Sequence, residues 1–354
     1  MRISFFCYPA DDPWSPESTL TGIGGSEEAV INIARELSAL GHQVTVRNSS
    51  CTEASLYQRV IYTNYQTLRA TASIDIAIVW RYPGLYPRYL RTLRIGKTYL
   101  WLHDAFPSSR VLPHLAFFHK IMVLSQFHRS LYEGVDPRRI VVTRNGIDVS
   151  HFNQEVPRDC NKVVYGSSYD RGLRVLLERW KTIKLAVPLA TLSIFYGWQS
   201  MERHKRPGYD FLRQHLNRLM LQTGVTHLGR IGHLDVARQY LSAGIWAYPC
   251  IFPEVSCISG MKAQAGGAVP VTIPTGALRE TIKFGFKTDR SFSDFEDRTL
   301  PPYVVRQWVE ALIYYLRHPE KQREIRPRMM VQSREWFSWR QVAMEWTEEF
   351  CRSD

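Results

Sequence analysis

The sequence of 354 residues lacks several patterns that define other classes of protein. No apolar run approaches the roughly 20 residues that a helix needs to span a bilayer. Its six cysteines, at positions 7, 51, 160, 250, 257 and 351, include no C-x-x-C pair, so the spacing predicts reduced thiols rather than a zinc site or a disulfide framework. The opening residues 1–12 carry no small-residue cleavage site. We therefore expect a cytoplasmic protein.

The catalytic signatures of several large enzyme classes are also missing. The chain contains no H-E-x-x-H and no G-x-S-x-G nucleophile elbow. It has no G-x-G-x-x-G dinucleotide fingerprint, and no D-x-D pair that would hold a divalent cation against a diphosphate. We expect a protein that works without a metal ion or a cofactor.

Acidic residues are outnumbered, which leaves the chain strongly basic. Its 45 Lys and Arg face 33 Asp and Glu, a net charge of +12. Much of the excess lies in residues 81–97, 136–139 and 203–207, where it favours an anionic membrane surface, nucleic acid or an acidic glycan. Tyr82, Tyr86 and Tyr89 interleave the first cluster and suit base stacking and a membrane interface equally. A solvated surface with no partner is the alternative. If the partner is an anionic membrane, the cytoplasmic protein would bind it peripherally.

Apolar strand-like segments alternate with amphipathic helices along the whole chain. The first helix is predicted over residues 25–40, with Val30, Ile33 and Leu37 at helical spacing and Gly41 just after its end. A polar stretch at about 148–162 interrupts the pattern, which then restarts. Repeated strands with helical crossovers imply parallel sheets covered on both faces. The fold class predicted is α/β, with two Rossmann-like doubly wound domains facing a cleft.

Two segments place small residues and a carboxylate at the start of a predicted helix. In "FPEVSCISGMKAQAGGAVPV", residues 252–271, Glu254 lies in the loop and the backbone N–H groups of residues 256–259 begin the helix. In "TGIGGSEEAV", residues 21–30, Gly24 and Gly25 precede a helix. Unpaired N–H groups at a helix start favour anions, especially phosphate. Simple helix capping is the alternative for both.

Two predicted strand ends carry further polar side chains. "YGSSYDRGL" offers Ser167, Ser168 and Arg171, and an arginine there can bind a diphosphate with two hydrogen bonds. "YLWLHD" ends in His103 and an aspartate. A surface arginine and a structural histidine are the alternatives.

In order and spacing, these motifs resemble those of the retaining glycosyltransferases of GT-B fold. The similar family is glycosyltransferase group 1, or family 4-like, which includes sucrose synthase and many bacterial mannosyl- and glucosyltransferases. The resemblance runs from "GGSEEAV" through "LHD", "VLSQFHRSLY", "VTRNGID", "GSSYDRGLRVLL" and "FYGW" to the segment around Glu254 and the ending "FSWRQVAMEWTEEF".

The resemblance implies a role for each candidate residue. Catalytic roles fall on His103 near the anomeric centre, Glu254 on donor-sugar hydroxyls and Arg171 on the diphosphate. The residues implied in donor binding are Gly24, Gly25, Ser167, Ser168, Val255, Ser256, Cys257, Ile258 and Lys262. Asn145 and Gly146 match a turn at the domain edge.

The sequence departs from the family at two positions. Lys262 stands where the second glutamate of the family's pair would contact the ribose, and lysine cannot accept a hydrogen bond from a hydroxyl. Gly166 and Ser167 occupy the region of a second basic residue, which the hydroxyls of Ser167 and Ser168 would partly replace.

The resemblance implies three segments: an acceptor-side domain over 1–155, a nucleotide-sugar domain over 156–337 and a last helix, 338–354, that crosses back onto the first domain. It implies retaining transfer of a hexose-like group from a nucleotide-diphosphate sugar, such as a UDP-sugar, to an acceptor hydroxyl. A saccharide or a lipid-linked saccharide is the favoured acceptor, and no stable protein partner is predicted. The alternatives are a DNA-modifying glycosyltransferase, a sugar-nucleotide epimerase of the same fold and a catalytically impaired sugar-nucleotide-binding protein.

Overall fold

The contacts of the chain divide it into two compact units. In the computed structural model, the residues described are 1–7, 13–51, 53–64, 73–85, 90–204, 207–289 and 299–352. Unit 1 consists of Met1–Thr19, Ile23–Ile147 and Phe337–Asp354, and unit 2 of Leu20–Gly22 and Asp148–Trp336.

Unit 1 is built on an eight-stranded sheet of order β3-β4-β2-β1-β5-β6-β7-β8. Its strands are β1 Arg2–Cys7, β2 Gln43–Asn48, β3 Ser55–Tyr57, β4 Val60–Thr63, β5 Ser73–Trp80, β6 Arg94–Trp101, β7 Lys120–Val123 and β8 Ile140–Val142. Every neighbouring pair is parallel except the β3–β4 hairpin. The central strands are apolar on both faces, because helices and loops cover both sides of a parallel sheet.

Unit 2 is built on a six-stranded, wholly parallel sheet of order β11-β10-β9-β12-β13-β14. Its strands are β9 Asp159–Tyr165, β10 Thr191–Phe195, β11 Val225–Gly229, β12 Ala243–Tyr248, β13 Val269–Thr272 and β14 Phe286–Lys287. All six residues of β12 are buried, as expected for a central strand.

Helices connect the strands of both sheets. They are α1 Gly25–Ala39, α2 Gln126–Ser130, α3 Leu173–Ala186, α4 Gln199–His204, α5 Tyr209–Leu219, α6 His233–Ser242, α7 Ile258–Gly266, α8 Leu278–Thr281, α9 Pro302–Arg317, α10 Pro319–Trp336 and α11 Trp339–Cys351. Gly41 ends the first helix with φ +92°, a conformation that suits glycine. Within the described ranges, no helix is long and apolar enough to cross a membrane.

The predicted fold class, two doubly wound α/β domains, is confirmed. In each sheet the direction of winding reverses once, between β1 and β5 in unit 1 and between β9 and β12 in unit 2. Open α/β sheets bind ligands beyond the carboxyl ends of the strands at such a reversal. The two reversal points therefore mark where each unit is expected to hold its functional residues.

The last helix, α11, packs on α1 within unit 1. The ring of Trp346 is 1% exposed and contacts Trp101 edge to face, with the ring centroids 4.8 Å apart. Its Nε1–H donates to the Thr143 hydroxyl at 2.7 Å. Lys120 and Glu349 form an ion pair at 2.6 Å between β7 and α11. The C-terminal segment is thus fixed to unit 1 by a buried hydrogen bond, an ion pair and aromatic packing.

Thr143→Val should lower the free energy of unfolding of unit 1 by about 1–3 kcal/mol, because it leaves the buried Trp346 N–H without an acceptor. Urea titration measures the change. Thr143→Ser keeps the hydroxyl and should lose less stability; an equal loss in both variants would mean that the hydrogen bond contributes nothing.

Candidate functional site

In unit 2, three predicted site residues meet at the reversal point of the sheet. Ser167 and Arg171 follow the end of β9, and Glu254 follows the end of β12. These strands are neighbours, so their carboxyl ends lie side by side. Gly172, with φ +129°, lies where a Cβ would be 2.1 Å from the carbonyl oxygen of Pro249. The glycine therefore lets the loop that carries Arg171 approach the end of β12.

The Glu254 carboxylate is buried and held by two donors. Its residue is 4% exposed. Tyr248 donates its hydroxyl to Oε1 at 2.6 Å. Nη1 of Arg171 lies 3.0 Å from Oε1 and 3.2 Å from Oε2. The carbonyl oxygen of Glu254 accepts from the N–H of Ala277 at 2.7 Å, so backbone and side chain are both fixed.

Arg171 has one nitrogen paired with Glu254 and others still unused. Its side chain is 31% exposed, and its guanidinium lies 4.1 Å from the centroid of the Phe252 ring. Burial opposes the charged form, but the Glu254 carboxylate outweighs it and holds the pKa of Arg171 above its usual value. Among the described residues, Nε and Nη2 have no hydrogen-bond partner. Those groups remain able to donate to an anion.

The hydroxyls of Ser167 and Ser168 already have partners within unit 2. Oγ of Ser167 lies 3.1 Å from the phenolic oxygen of Tyr248, within hydrogen-bond distance. Ser168 donates its hydroxyl to Asp170 at 2.6 Å. Because each hydroxyl has a single proton, these contacts weigh against the prediction that the two serines replace a missing basic residue at the diphosphate.

The helix after Glu254 begins two residues later than the sequence pattern predicted. Helix α7 starts at Ile258, with Cys257 as N-cap and no side-chain capping bond. The first N–H groups of a helix have no carbonyl partner inside it, and they carry the positive end of its dipole. The Oγ atom of Ser256 is buried there without a partner in the described part of the chain. This end of α7, with Val255 and Ser256 before it, can therefore donate hydrogen bonds to an anion.

Lys262 lies one turn inside α7. Only 7% of its surface is exposed, which is unusual for a lysine. Where the similar family carries a residue that accepts hydrogen bonds, this side chain can only donate them.

In unit 1, His103 follows β6 and is 7% exposed. Its ring packs against Trp101 at a centroid distance of 4.2 Å and against Trp80 at 6.1 Å. Burial, together with the charge of Arg81, holds the pKa of His103 well below its usual range, so the imidazole is neutral near pH 7. Its Nε2 atom has no hydrogen-bond partner among the described residues.

The turn after His103 is clamped by an arginine from the neighbouring strand. Arg81, which has φ +65°, follows β5 and binds both carboxylate oxygens of Asp104, with Nε–Oδ2 2.6 Å and Nη2–Oδ1 2.8 Å. Nη1 of Arg81 also lies 3.6 Å from the carboxylate of Glu27 at the start of α1. Arg81 is therefore an internal residue, although it opens the basic cluster 81–97.

His128 holds the same turn through a further hydrogen bond. It is fully buried, accepts the N–H of Leu124 at Nδ1 (3.1 Å) and lies 3.1 Å from the carbonyl oxygen of Asp104 through Nε2. An acceptor role at Nδ1 requires the neutral tautomer with its proton on Nε2. Burial lowers the pKa of His128 to about 4, which keeps it in that form.

Gly24 and Gly25 lie at the start of α1, but the space beside Gly24 is taken. Gly24 is the N-cap of α1, and its φ of −65° does not require glycine. A Cβ at Gly24 would be 2.3 Å from a carboxylate oxygen of Glu27. The carboxylate of Glu27 therefore lies directly beside the backbone of Gly24 at the start of α1.

Sequence reasoning missed four residues that shape these sites: Tyr248, Arg81, His128 and Glu27. Of the aromatic residues in the basic cluster, Tyr82 packs against Phe106 with centroids 6.3 Å apart. Tyr86 and Tyr89, and residues 205–206 of the third cluster, lie outside the described residues. The described ranges contain no group of three or more His, Cys, Asp or Glu arranged to hold a metal ion.

Protonation of His128 should destabilise unit 1 in mild acid. The folded-state pKa of about 4 lies below the usual value of 6.5, so stability is lost as the pH falls from about 6.5 towards 4. The full loss is roughly 3 kcal/mol for this group. We expect the free energy of unfolding of His128→Gln, measured in urea at pH 7 and pH 4.5, to fall less between the two pH values than that of wild type. Equal falls would contradict the assignment.

Comparisons with known proteins give structural but not sequence relatives. No family model matches the chain, and no curated protein matches it by sequence. Solved structures do match over almost the full length. Sucrose-phosphate synthase from Thermosynechococcus elongatus has a TM-score of 0.74 at 15% identity, covering 99% of this chain and 98% of that one.

Two further structures are similar, and both were solved with nucleotides. HepE from Anabaena, in complex with UDP and glucose, has a TM-score of 0.71 at 15% identity and covers 99% of both chains. The catalytic domain of starch synthase IV from Arabidopsis thaliana, bound to ADP and acarbose, has a TM-score of 0.69 at 13% identity, covering 99% of this chain and 98% of that one. The chain therefore has the GT-B fold of these glycosyltransferases.

Proposed function

We propose that the chain is a retaining glycosyltransferase that transfers a hexose-like group from a nucleoside-diphosphate sugar to an acceptor hydroxyl. One observation carries the proposal: a buried carboxylate, Glu254, lies beside a partly unpaired guanidinium and just before the uncapped start of α7, at the reversal point of the sheet. A nucleoside-diphosphate sugar carries hydroxyl donors on its sugar and negative charge on its diphosphate. The carboxylate can accept from the hydroxyls, and the guanidinium and the start of α7 can donate to the diphosphate.

The leaving group would be stabilised by charge already in place. The bond between the anomeric carbon and the diphosphate oxygen breaks, and negative charge develops on the diphosphate. Free N–H groups of Arg171 and those of the first turn of α7 donate to that charge without reorganising. Such preorganised electrostatic stabilisation often contributes more to catalysis than any other single effect. On the resemblance, no metal ion takes part.

Glu254 would bind the sugar rather than attack it. Its carboxylate is already engaged by Arg171 and Tyr248, which makes it a poor nucleophile. It can still accept a hydrogen bond from a sugar hydroxyl. The acceptor hydroxyl attacks from the face that the diphosphate leaves, and its proton passes to the departing diphosphate oxygen. The configuration at the anomeric carbon is then retained. The catalytic role proposed for His103, near the anomeric centre, rests on the resemblance to the retaining glycosyltransferases of GT-B fold.

Uracil is the first base to test. Structures of the similar protein HepE contain UDP or UDP-glucose, and that of starch synthase IV contains ADP. UDP-glucose, GDP-mannose and ADP-glucose are therefore suitable donors for a first screen. Release of nucleoside diphosphate supports a transferase, a changed sugar on an intact nucleotide supports an epimerase, and binding without turnover supports an impaired binding protein.

For the acceptor, we propose a saccharide or a lipid-linked saccharide. Arg81 points inwards to Asp104, so the cluster 81–97 offers one charge fewer to a partner than the sequence count implies. Arg138 is 90% exposed but pairs with its neighbour Asp136 at 2.9 Å. A DNA acceptor would show binding that falls steeply with salt concentration. A peripheral membrane location would show as binding to vesicles that contain anionic lipid.

Glu254→Gln and Arg171→Ala should each reduce sugar transfer at least tenfold, which is about the effect of removing one charge-stabilising contact. The measurement is kcat/KM with the best donor of the screen. Arg174→Ala and Glu178→Gln are the matched controls, since both residues lie on α3 and their side chains are 51% and 40% exposed. Wild-type turnover in either site variant would remove that residue from the mechanism.

Lys262→Glu should change the affinity for nucleoside diphosphate by at least about threefold, because it reverses a buried charge one turn from the proposed phosphate site. Calorimetry with UDP measures the change. An unchanged Kd in a folded variant would show that this side chain does not sense the nucleotide.

A further inference from the structure

Tyr248 contacts the proposed sugar-binding carboxylate but belongs to no predicted motif. It is the last residue of β12 and is fully buried. Its hydroxyl donates to Oε1 of Glu254 at 2.6 Å. We propose that Tyr248 is a positioning residue, which turns the Glu254 carboxylate so that Oε2 is the oxygen offered to a sugar hydroxyl. The identity of the ligand rests on the proposed function, whereas the contact between Tyr248 and Glu254 does not.

The tyrosine itself is held rigidly. Its ring stacks on Trp246, with centroids 4.9 Å apart and planes at 27°, and lies 5.7 Å from the ring of Tyr165. Its carbonyl oxygen accepts from the Thr272 hydroxyl at 2.7 Å. The phenol therefore projects from a fixed strand end at a fixed angle.

The hydrogen bonds around Tyr248 run in one direction. Burial raises the pKa of Tyr248 well above its usual value, so the phenol keeps its single proton. That proton goes to Glu254, and the contact of 3.1 Å with Ser167 must therefore use the Ser167 proton. The hydrogen bonds therefore run from Ser167 to Tyr248 and from Tyr248 to Oε1 of Glu254. The hydroxyl of Tyr248 is always the donor to the carboxylate.

The two oxygens of Glu254 consequently differ in what they can still accept. Oε1 accepts from Tyr248 at 2.6 Å and from Arg171 at 3.0 Å, which fills the two lone pairs of a carboxylate oxygen. Oε2 has only the longer contact to Arg171, at 3.2 Å, among the described residues. Oε2 is the oxygen with capacity for a further donor.

Tyr248 also prevents a competing arrangement. An arginine and a carboxylate prefer two parallel hydrogen bonds, which would engage both oxygens fully. Here a single nitrogen, Nη1, serves both oxygens of Glu254. By holding Oε1, the phenol stops the carboxylate from rotating onto the guanidinium. It thus keeps Oε2 available for a sugar hydroxyl. Because a guanidinium has five N–H groups, even the competing fork would leave three of those of Arg171 for phosphate, so the phenol acts on the sugar and not on the diphosphate.

The test separates the sugar from the rest of the ligand. Kd values for UDP and UDP-glucose are measured by calorimetry for wild type and Tyr248→Phe. We expect the Kd for UDP-glucose to rise about tenfold, the effect of one lost charge-assisted contact, while the Kd for UDP changes less than about twofold. Equal weakening of both ligands, or no weakening, would overturn the proposal.

Tyr165→Phe is the matched control. Tyr165 is also fully buried, neighbours Tyr248 and donates its hydroxyl to the carbonyl oxygen of Ser168 at 2.9 Å, without a hydrogen bond to Glu254. This variant loses one buried hydroxyl from the same core, and the ratio of its two Kd values should match that of wild type. The same change in ratio in both variants would assign the effect to general loosening and overturn the proposal.

A second arm needs no ligand and stands if the protein binds none of the nucleotides. The urea midpoint is measured for Tyr248→Phe, Glu254→Gln and the double variant. If the phenol holds the charged carboxylate, Tyr248→Phe should shift the midpoint less in the Glu254→Gln background, because the remaining bond there is neutral. Additive shifts would overturn the positioning role. Failure of all nucleotide binding, with non-additive shifts, would overturn the proposed function alone.

Discussion

A buried carboxylate must be surrounded by donors, and this requirement organises the end of the sheet in unit 2. Glu254 receives Arg171 from the loop after β9 and Tyr248 from the end of β12, while its carbonyl oxygen receives the N–H of Ala277 from the segment after β13. Three neighbouring strands are thereby joined at their carboxyl ends. Because Glu254 is 4% exposed, the loss of a donor to its carboxylate would leave the negative charge with too few hydrogen bonds, and water could not replace the lost one.

Unit 1 contains another arginine–carboxylate pair, with a different geometry. Asp104 is bound by both sides of the Arg81 fork, and its carbonyl oxygen is held by His128, so the turn that carries His103 has little freedom. There the arginine uses two nitrogens and both carboxylate oxygens, as such pairs prefer. In unit 2, a single nitrogen of Arg171 contacts both oxygens of Glu254, and Tyr248 donates to one of them. The first arrangement is typical of a structural clamp, whereas the second leaves acceptor and donor capacity for a ligand.

The sequence was sufficient to predict the architecture, because strand length, helix spacing and glycine positions are local properties. Helix α1 and its end at Gly41, the parallel sheets and the positions of Glu254 and Arg171 at strand ends all follow from such patterns. The start of α7 was two residues off, since the loop before it lacks a capping side chain that would mark the boundary.

The contacts among site residues could not be predicted in the same way. Tyr248 looks like one more apolar residue of a buried strand, and its hydroxyl gains meaning only because β9 and β12 are adjacent. Glu27 looks like an ordinary helix residue until it folds back beside Gly24. Arg81 reads as part of a basic surface, yet its partners lie after another strand and at the start of a helix.

Glu254 and the start of α7 are proposed to bind the two halves of one donor molecule, and a crystal structure of the protein with UDP-glucose tests this most directly. We predict a glucose hydroxyl within about 3 Å of Glu254 Oε2 and a diphosphate oxygen at a similar distance from the first N–H groups of α7. A nucleotide bound away from the start of α7, or a glucose that leaves Glu254 untouched, would contradict the proposal.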